Sequence, residues 1–180
     1  MYVASAFSKM KILLTGPPRT GKTTLVCRVA ELLTKPYAGF YTEEILEQGK
    51  RVGFSLKTFS GRTGVLSHID FKSKLRVAKY RVSLTDLEEI ALPEIEEGIK
   101  QKNVILIDEI GKMELFSAKF RQIVLQILNS NLSFLGTIVY AHHPWADQIK
   151  KRKDIELIEV TPKNRDQLAQ ELTQKLTLAL

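Results

Sequence analysis

The sequence predicts an α/β fold of three layers, α/β/α, with a mostly parallel central sheet and an antiparallel β-hairpin insertion. Three observations carry that expectation. A buried-strand pattern near the N-terminus runs straight into a glycine-rich turn and then a helical pattern. A second apolar run, Val104-Ile105-Leu106-Ile107, ends in two carboxylates, Asp108 and Glu109. Between them, residues 37–81 alternate with a period of two and are broken by turn residues, as antiparallel strands do. At 180 residues the chain reads as one domain, 1–180, with 37–81 as a hairpin-rich insertion within it.

The first strand covers Lys11-Ile12-Leu13-Leu14-Thr15 after Met10. The turn that follows, Gly16-Pro17-Pro18-Arg19-Thr20-Gly21-Lys22-Thr23, fits G-x-x-x-x-G-K-[ST], with a further hydroxyl at Thr24. Leu25, Val29 and Leu32/Leu33 then fall on one helical face. Strand, glycine-rich turn and helix together aim backbone N–H groups and a helix N-terminus at a polyphosphate. Lys22 is placed for the β- and γ-phosphates and the Thr23 hydroxyl for Mg²⁺. Arg19 stands at the apex of the turn, where it either touches phosphate or closes the loop over it.

Composition bounds the partners. A hydrophobic share of 44% and a charged share of 26% are ordinary for a globular protein, and no apolar run is long enough to span a bilayer. Residues 1–9 are too short and too weakly apolar for a secretory signal and read as a tail or an extra turn of strand. The single Cys27 excludes an internal disulfide, and cytoplasmic residence is the expectation. With 27 Lys plus Arg against 20 Asp plus Glu, the net charge of +7 favours an anionic partner, and a nucleotide suffices. Two basic clusters, Lys72/Lys74/Arg76/Lys79/Arg81 and Lys150/Lys151/Arg152/Lys153, allow nucleic acid. They read first as solvated faces.

In chain order, Tyr37 to Thr42 and Val52 to Leu56 form a hairpin about a turn at Glu47-Gln48-Gly49-Lys50. Gly61-Arg62-Thr63-Gly64 turns into short strands around Val65-Leu66 and Val77-Ala78-Lys79-Tyr80. This insertion is expected as a flap at one sheet edge. Ser83 and Asp86 suggest a capping box for a helix bearing Leu84, Leu87, Ile90 and Ala91. Pro93 then opens a second short helix, Glu94 to Lys100, with Gly98 near its end.

The run Val104 to Ile107 is apolar on both faces, as in a buried parallel strand. Asp108 at its C-terminal end is the acid expected to hold Mg²⁺ beside Thr23, and Glu109 is placed to orient an attacking water. A helix begins at Ser117 with Phe116, Phe120, Val124 and Leu128 as its apolar positions. A parallel strand covers Leu132 to Val139. Its Thr137 is either a polar sensor of phosphate or an ordinary strand threonine. His142-His143-Pro144-Trp145 reads as a loop, with a weak metal pattern and a tryptophan that packs or stacks. Ile155 to Val160 is a final strand, and Asn164 caps a last helix bearing Leu168, Leu172 and Leu176.

With those motifs placed, the set Gly39-Phe40-Tyr41-Thr42-Glu43-Glu44, Val52-Gly53-Phe54, Ala91-Leu92-Pro93 and Asp108 to Phe116 resembles a family. It is the P-loop nucleoside-triphosphatase family first known from thermophiles, which includes the cancer-related nucleoside-triphosphatase. The likeness runs from about Lys11 to the segment Thr161–Asp166. It implies a P-loop NTPase fold and slow, Mg²⁺-dependent hydrolysis of ATP, GTP and other nucleoside triphosphates with broad base tolerance. It places Gly16 to Thr23 at the phosphates, Asp108 and Glu109 as the acidic pair, and Gly111 and Lys112 in the same catalytic-side loop. Relatives carry a Pro- and Gly-containing loop after the Gly136-Thr137-Ile138 strand. Here Val139-Tyr140-Ala141-His142-His143-Pro144 stands instead, so no base contact carries over to it.

The leading expectation is therefore hydrolysis of nucleoside triphosphates to the diphosphate and phosphate by a monomeric enzyme, with Lys22 and Glu109 catalytic. A nucleotide or small-molecule kinase is the alternative, with Arg62, Arg76 and Arg81 clamping an acceptor phosphate. A nucleotide-dependent nucleic-acid-binding module is a third reading. The N-K-x-D signature of guanine-specific switches is missing.

Overall fold

In the computed structural model, which describes residues 9–178, a single nine-stranded sheet runs through the molecule. The reading of residues 1–8 as a tail lies outside the described residues. The strands are β1 (Lys11–Thr15), β2 (Tyr37–Glu47), β3 (Lys50–Thr58), β4 (Thr63–His68), β5 (Arg76–Val77), β6 (Tyr80–Val82), β7 (Val104–Ile110), β8 (Phe134–Ile138) and β9 (Glu156–Glu159). Their order is β5-β6-β4-β3-β2-β7-β8-β1-β9. The five strands from β2 to β9 in that order pair in parallel, and β3, β4, β6 and β5 continue the sheet antiparallel.

Helices α1 (Lys22–Leu32), α2 (Leu92–Lys100), α3 (Ala118–Asn129), α4 (Pro144–Lys150) and α5 (Arg165–Leu178) cover the two faces of the parallel part. Alternation along β1 and β7 sorts the layers. Ile12, Leu14, Val104 and Leu106 pack with Leu25, Val26 and Val29 of α1 and Leu168 and Leu172 of α5. Leu13, Ile105 and Ile107 pack on the other side with Ile95 of α2 and Phe120, Val124 and Leu128 of α3. Each such side chain, fully buried, contributes about 1.5–3 kcal/mol. The result is the three-layer α/β/α arrangement with the hairpin insertion at one edge.

The insertion joins the core directly. The first residues of β2 pair in parallel with β7, from Tyr37 opposite Val104 to Tyr41 opposite Asp108. Beyond them β2 runs past the end of β7 and turns back at Gln48 and Gly49, whose positive φ values of 48° and 76° suit a tight hairpin. The strand expected over Val77 to Tyr80 is instead a hairpin. Val77 pairs with Tyr80, and Ala78, at φ 51°, turns the chain between β5 and β6.

The two helices expected between Leu84 and Lys100 form one continuous helical run. Leu87–Ala91 is a π-helical stretch that leads without a break into α2, both Ala91 and Leu92 being right-handed. Pro93 has no N–H for the carbonyl of Glu89, which instead accepts a bond from the Arg62 guanidinium at 3.1 Å. Asp86 does not cap this helix with its side chain; its carboxylate accepts from the Val65 N–H at 2.6 Å and ties the helix to β4. Gly98 lies buried within α2 near its end, as expected.

Ser117 caps α3, accepting from the Phe120 N–H, but Phe116 falls in a 3₁₀ turn (Glu114–Phe116) and is exposed. Pro144 and Trp145, read as loop, open a helix, Pro144–Lys150: His143 caps it, accepting from the Ala146 N–H, and Pro144 fills the first turn. Asn164 closes the turn before α5, accepting from Thr161 N–H and donating to the Glu159 carbonyl, so its side chain is spent outside the helix.

Candidate active site

Asp108 and the phosphate loop meet because β7 and β1 both end at the same edge of the parallel sheet, with β8 between them. Alternation puts Asp108 on the same face as Leu106, the face covered by α1. The loop itself is shaped by close approach. Gly16 has φ 138°, and a Cβ there would stand 2.7 Å from the Val160 carbonyl oxygen, so this position needs glycine for both reasons. Thr20 is buried and donates to the Pro17 carbonyl at 3.0 Å, closing the turn. Lys22 donates to the carbonyls of Gly16 and Pro17, both at 2.8 Å, so its ammonium lies along the inner rim of the loop. Pro17, Pro18 and Arg19 are exposed at the apex, and Arg19 holds a left-handed φ of 65°. Gly21 is the N-cap of α1, and Thr23 and Thr24 occupy its first turn.

Asp108 is only 2% exposed. Its Oδ1 accepts a bond from the Thr137 hydroxyl at 2.6 Å, and Thr137 is itself fully buried on β8. Burial raises the Asp108 pKa, while hydrogen bonds from Thr137 and Thr23 and the Lys22 charge act the other way. Its Oδ2 is buried with no hydrogen-bond partner. A buried carboxylate oxygen left without a donor, beside the Thr23 hydroxyl, is an all-oxygen donor set that fits a hard divalent cation. Thr137 is thus neither a plain strand residue nor shown at phosphate: it anchors the carboxylate.

Glu109, half-buried, is raised by burial and by Asp108, with Lys22 opposing. Lys22 is lowered by burial, and Glu109 and Asp108 push it back up. Lysine, aspartate and glutamate therefore act on one another at the mouth of the loop, as groups do where charge is arranged for chemistry. Gly111 is buried beneath Glu109, whereas Lys112 points into solvent.

Several residues the sequence did not single out surround this cleft. Arg165 at the start of α5 lies against Gly21, within 3.3 Å of where a Cβ would be. With Thr24, Arg28 and Ala169 it lines a groove of about 440 Å³ that adjoins the loop. Glu114, in an apolar stretch between Met113 and Leu115, is 4% exposed. A lone acid in such a run is the signal that marks it.

Other candidates are not drawn into the site. Arg62, Arg76 and Arg81 spend their guanidinium groups on the carbonyls of Glu89, Ala78 and Ser73 and form no common clamp. In the second basic cluster Lys150 pairs with Asp147 and Arg152 with Asp154. His142 pairs with Asp147, His143 caps α4, and Trp145 packs on the core, and no metal-ligating cluster of His, Cys, Asp and Glu occurs among the described residues. Burial pushes the Cys27 thiol up to about 11, with Asp108, Glu43 and Glu31 adding to it, which leaves it a poor nucleophile.

The profile of the family described as NTPase matches residues 11–173. The chain belongs to that NTPase family. It is 46% identical over 167 residues to the nucleoside-triphosphatase THEP1 of Thermotoga sp. (strain RQ2), covering 93% of this chain and 95% of that one. It is 43% identical over 174 residues to the human cancer-related nucleoside-triphosphatase, covering 87% and 91%. Among solved structures, THEP1 from Aquifex aeolicus superposes with a TM-score of 0.86 at 41% identity, over 93% of this chain and 99% of that one. The solution structure of the human cancer-related enzyme gives 0.78 at 39% identity, over 92% and 96%. The NTPase family match therefore spans the phosphate loop, the acidic pair and α5 together. Among the described residues no helix is long and apolar enough to cross a membrane.

Proposed function

We propose that this chain hydrolyses nucleoside 5′-triphosphates to the diphosphate and phosphate, in a Mg²⁺-dependent reaction with broad tolerance of the base. The observation that carries the reading is the convergence of Lys22, Asp108 and Glu109 at the mouth of the phosphate loop. Family membership supports the reaction class, the relatives it matches being nucleoside-triphosphatases by name.

The polyphosphate lies along the N–H groups of Gly16 to Thr23 and the N-terminus of α1. Lys22 exchanges its loop carbonyls for phosphate oxygens and offsets the charge that develops on them. Thr23 and Asp108 would hold the divalent cation, which would supply further neutralisation of phosphate charge. The Thr137 hydroxyl favours the ionised form of the Asp108 carboxyl, against its burial, and aims it. Glu109, raised by its surroundings, orients a water for in-line attack and takes up its proton. The groove between α1 and α5 receives the nucleoside, and it is lined by exposed, flexible side chains such as Arg28 and Arg165. Such a surface does not discriminate strongly among bases.

Phosphate release from a panel of common NTPs and dNTPs tests this, with wild type compared to Lys22→Ala and Glu109→Gln. The expected result is release from several bases by wild type and a loss of about 10²-fold or more in each variant. Equal rates in all three would refute it, and transfer to a nucleoside monophosphate in excess of release would point to a kinase.

A further inference from the structure

Glu114 has no part in the mechanism above, yet it is the most deeply enclosed acid after Asp108. It sits in the 3₁₀ turn that follows β7, and this turn brings it back beneath the strand end. Its carboxyl oxygens lie within hydrogen-bonding reach of the backbone N–H groups of Gly111 and of Glu114 itself. Gly111 gives the geometry. A Cβ placed on Gly111 would stand 2.8 Å from Glu114 Oε2 and 3.1 Å from Glu109 Oε1. The two carboxyl groups therefore border the same small space, and it is open to both only because residue 111 carries no side chain.

We propose that Glu114 is a positioning residue for Glu109, sharing with it the Cβ-free space at Gly111 and limiting the orientations its carboxylate can take. This rests on the hydrolytic reading above. Burial, then Glu109, then Asp108 push the Glu114 carboxyl up to about 8, so at neutral pH it is an uncharged acid. No cation is set against it. Arg121 of α3 donates to the Leu115 carbonyl, Glu88 is engaged by Ser117 and Lys119, and Lys112 is exposed. An uncharged acid supports a neighbouring carboxylate without repelling it, whereas a second anion would repel both Glu109 and an incoming polyphosphate. Deep burial against backbone N–H groups also holds Glu114 in one place, which is what a positioning group needs.

The test measures kcat and KM, with binding of a non-hydrolysable ATP analogue, for wild type, Glu114→Gln, Glu114→Ala and Gly111→Ala, and for Glu114→Ala combined with Glu109→Gln. Glutamine reproduces the uncharged acid, so Glu114→Gln is expected within about threefold of wild type in kcat. Glu114→Ala and Gly111→Ala, the latter separating the two carboxyls without removing either, are expected to lower kcat by about 10-fold or more. KM and analogue binding should stay within about twofold in each. In the Glu109→Gln background the Glu114→Ala change is expected to have no further effect, because a residue acting through Glu109 has nothing left to position. A structural role would instead lower kcat by the same factor in both backgrounds, and that result overturns the proposal. So does a Glu114→Gln variant as inactive as Glu109→Gln, or wild-type kcat in both alanine variants. Absence of phosphate release from wild type overturns the hydrolytic reading and this inference with it.

Discussion

Asp108 shows how much of this site is decided by single hydrogen bonds. A carboxylate that is 2% exposed loses nearly all contact with water, and two hydroxyls, Thr137 and Thr23, with the Lys22 charge, are what oppose its protonation. Replacing Thr137 by valine keeps the shape of the side chain and removes the donor 2.6 Å from Oδ1. The buried carboxyl then keeps only the Thr23 hydroxyl as a donor, and its pKa moves further up. Such a variant is expected to lose about 1–3 kcal/mol of stability and to need about 10-fold more Mg²⁺ for half-maximal hydrolysis. A Mg²⁺ titration of phosphate release, with denaturant unfolding alongside, reads both effects. An unchanged Mg²⁺ response would reduce Thr137 to a packing residue. The residue could be singled out from its place on the strand beside Asp108, but not its role, because which face and which register bring it to Asp108 are set by the pairing of β8 with β7.

Elements were legible in the sequence where a local pattern and the tertiary structure ask for the same thing. The runs of β1 and β7 are apolar on both faces, and both are buried parallel strands covered by helices. The hairpin turn at Gln48-Gly49 carries a glycine suited to positive φ and forms there. Elements were misread where a long-range contact overrides the local signal. Pro93 reads as a helix start, yet Arg62 supplies a donor to the freed Glu89 carbonyl from across the insertion, and the helix continues. Asp86 reads as a cap, yet β4 claims its carboxylate. At Gly98, correctly placed within the helix, the same conflict decides an energy. Helix propensity alone predicts that Gly98→Ala stabilises α2 by about 1 kcal/mol. A Cβ at that position, however, would stand 2.5 Å from Ala38 Cβ on β2 and 3.0 Å from Ile105 Cδ1. Both belong to the packed sheet, so α2 must move away from it. Overpacking of this kind costs about 1–3 kcal/mol, and it outweighs the propensity gain. Gly98→Ala is therefore expected to lower the urea midpoint at unchanged m-value, and a raised midpoint would show that α2 shifts freely on the sheet.

Across the whole molecule the chemistry gathers at the C-terminal edge of the parallel sheet, while the opposite edge carries an unusual charge of its own. Lys11 opens β1 and is 6% exposed, its ammonium donating to the Leu132 carbonyl just before β8. Burial lowers it to about 8, Asp154 opposing and Arg152 and Lys9 adding to the fall. In the unfolded chain the same group titrates at its ordinary value of 10.5. Below about 8 both states hold the proton and the burial penalty is present in full, about 3 kcal/mol at most at about 1.4 kcal/mol per pKa unit. Between about 8 and 10.5 the unfolded chain binds more protons than the folded one, so stability contributed by this group rises with pH and the penalty disappears. Lys11→Met removes the titration while keeping an unbranched stem, and the bond it loses to Leu132 is an offset that does not change with pH. The difference in unfolding free energy between wild type and Lys11→Met should therefore shift in favour of wild type as pH rises through that window. Urea unfolding of both proteins at several pH values from about 7 to 10.5 reads it directly. A difference constant across that range would mean that Lys11 gives up its proton alike in both states, and that β1 enters the sheet without the cost its burial implies.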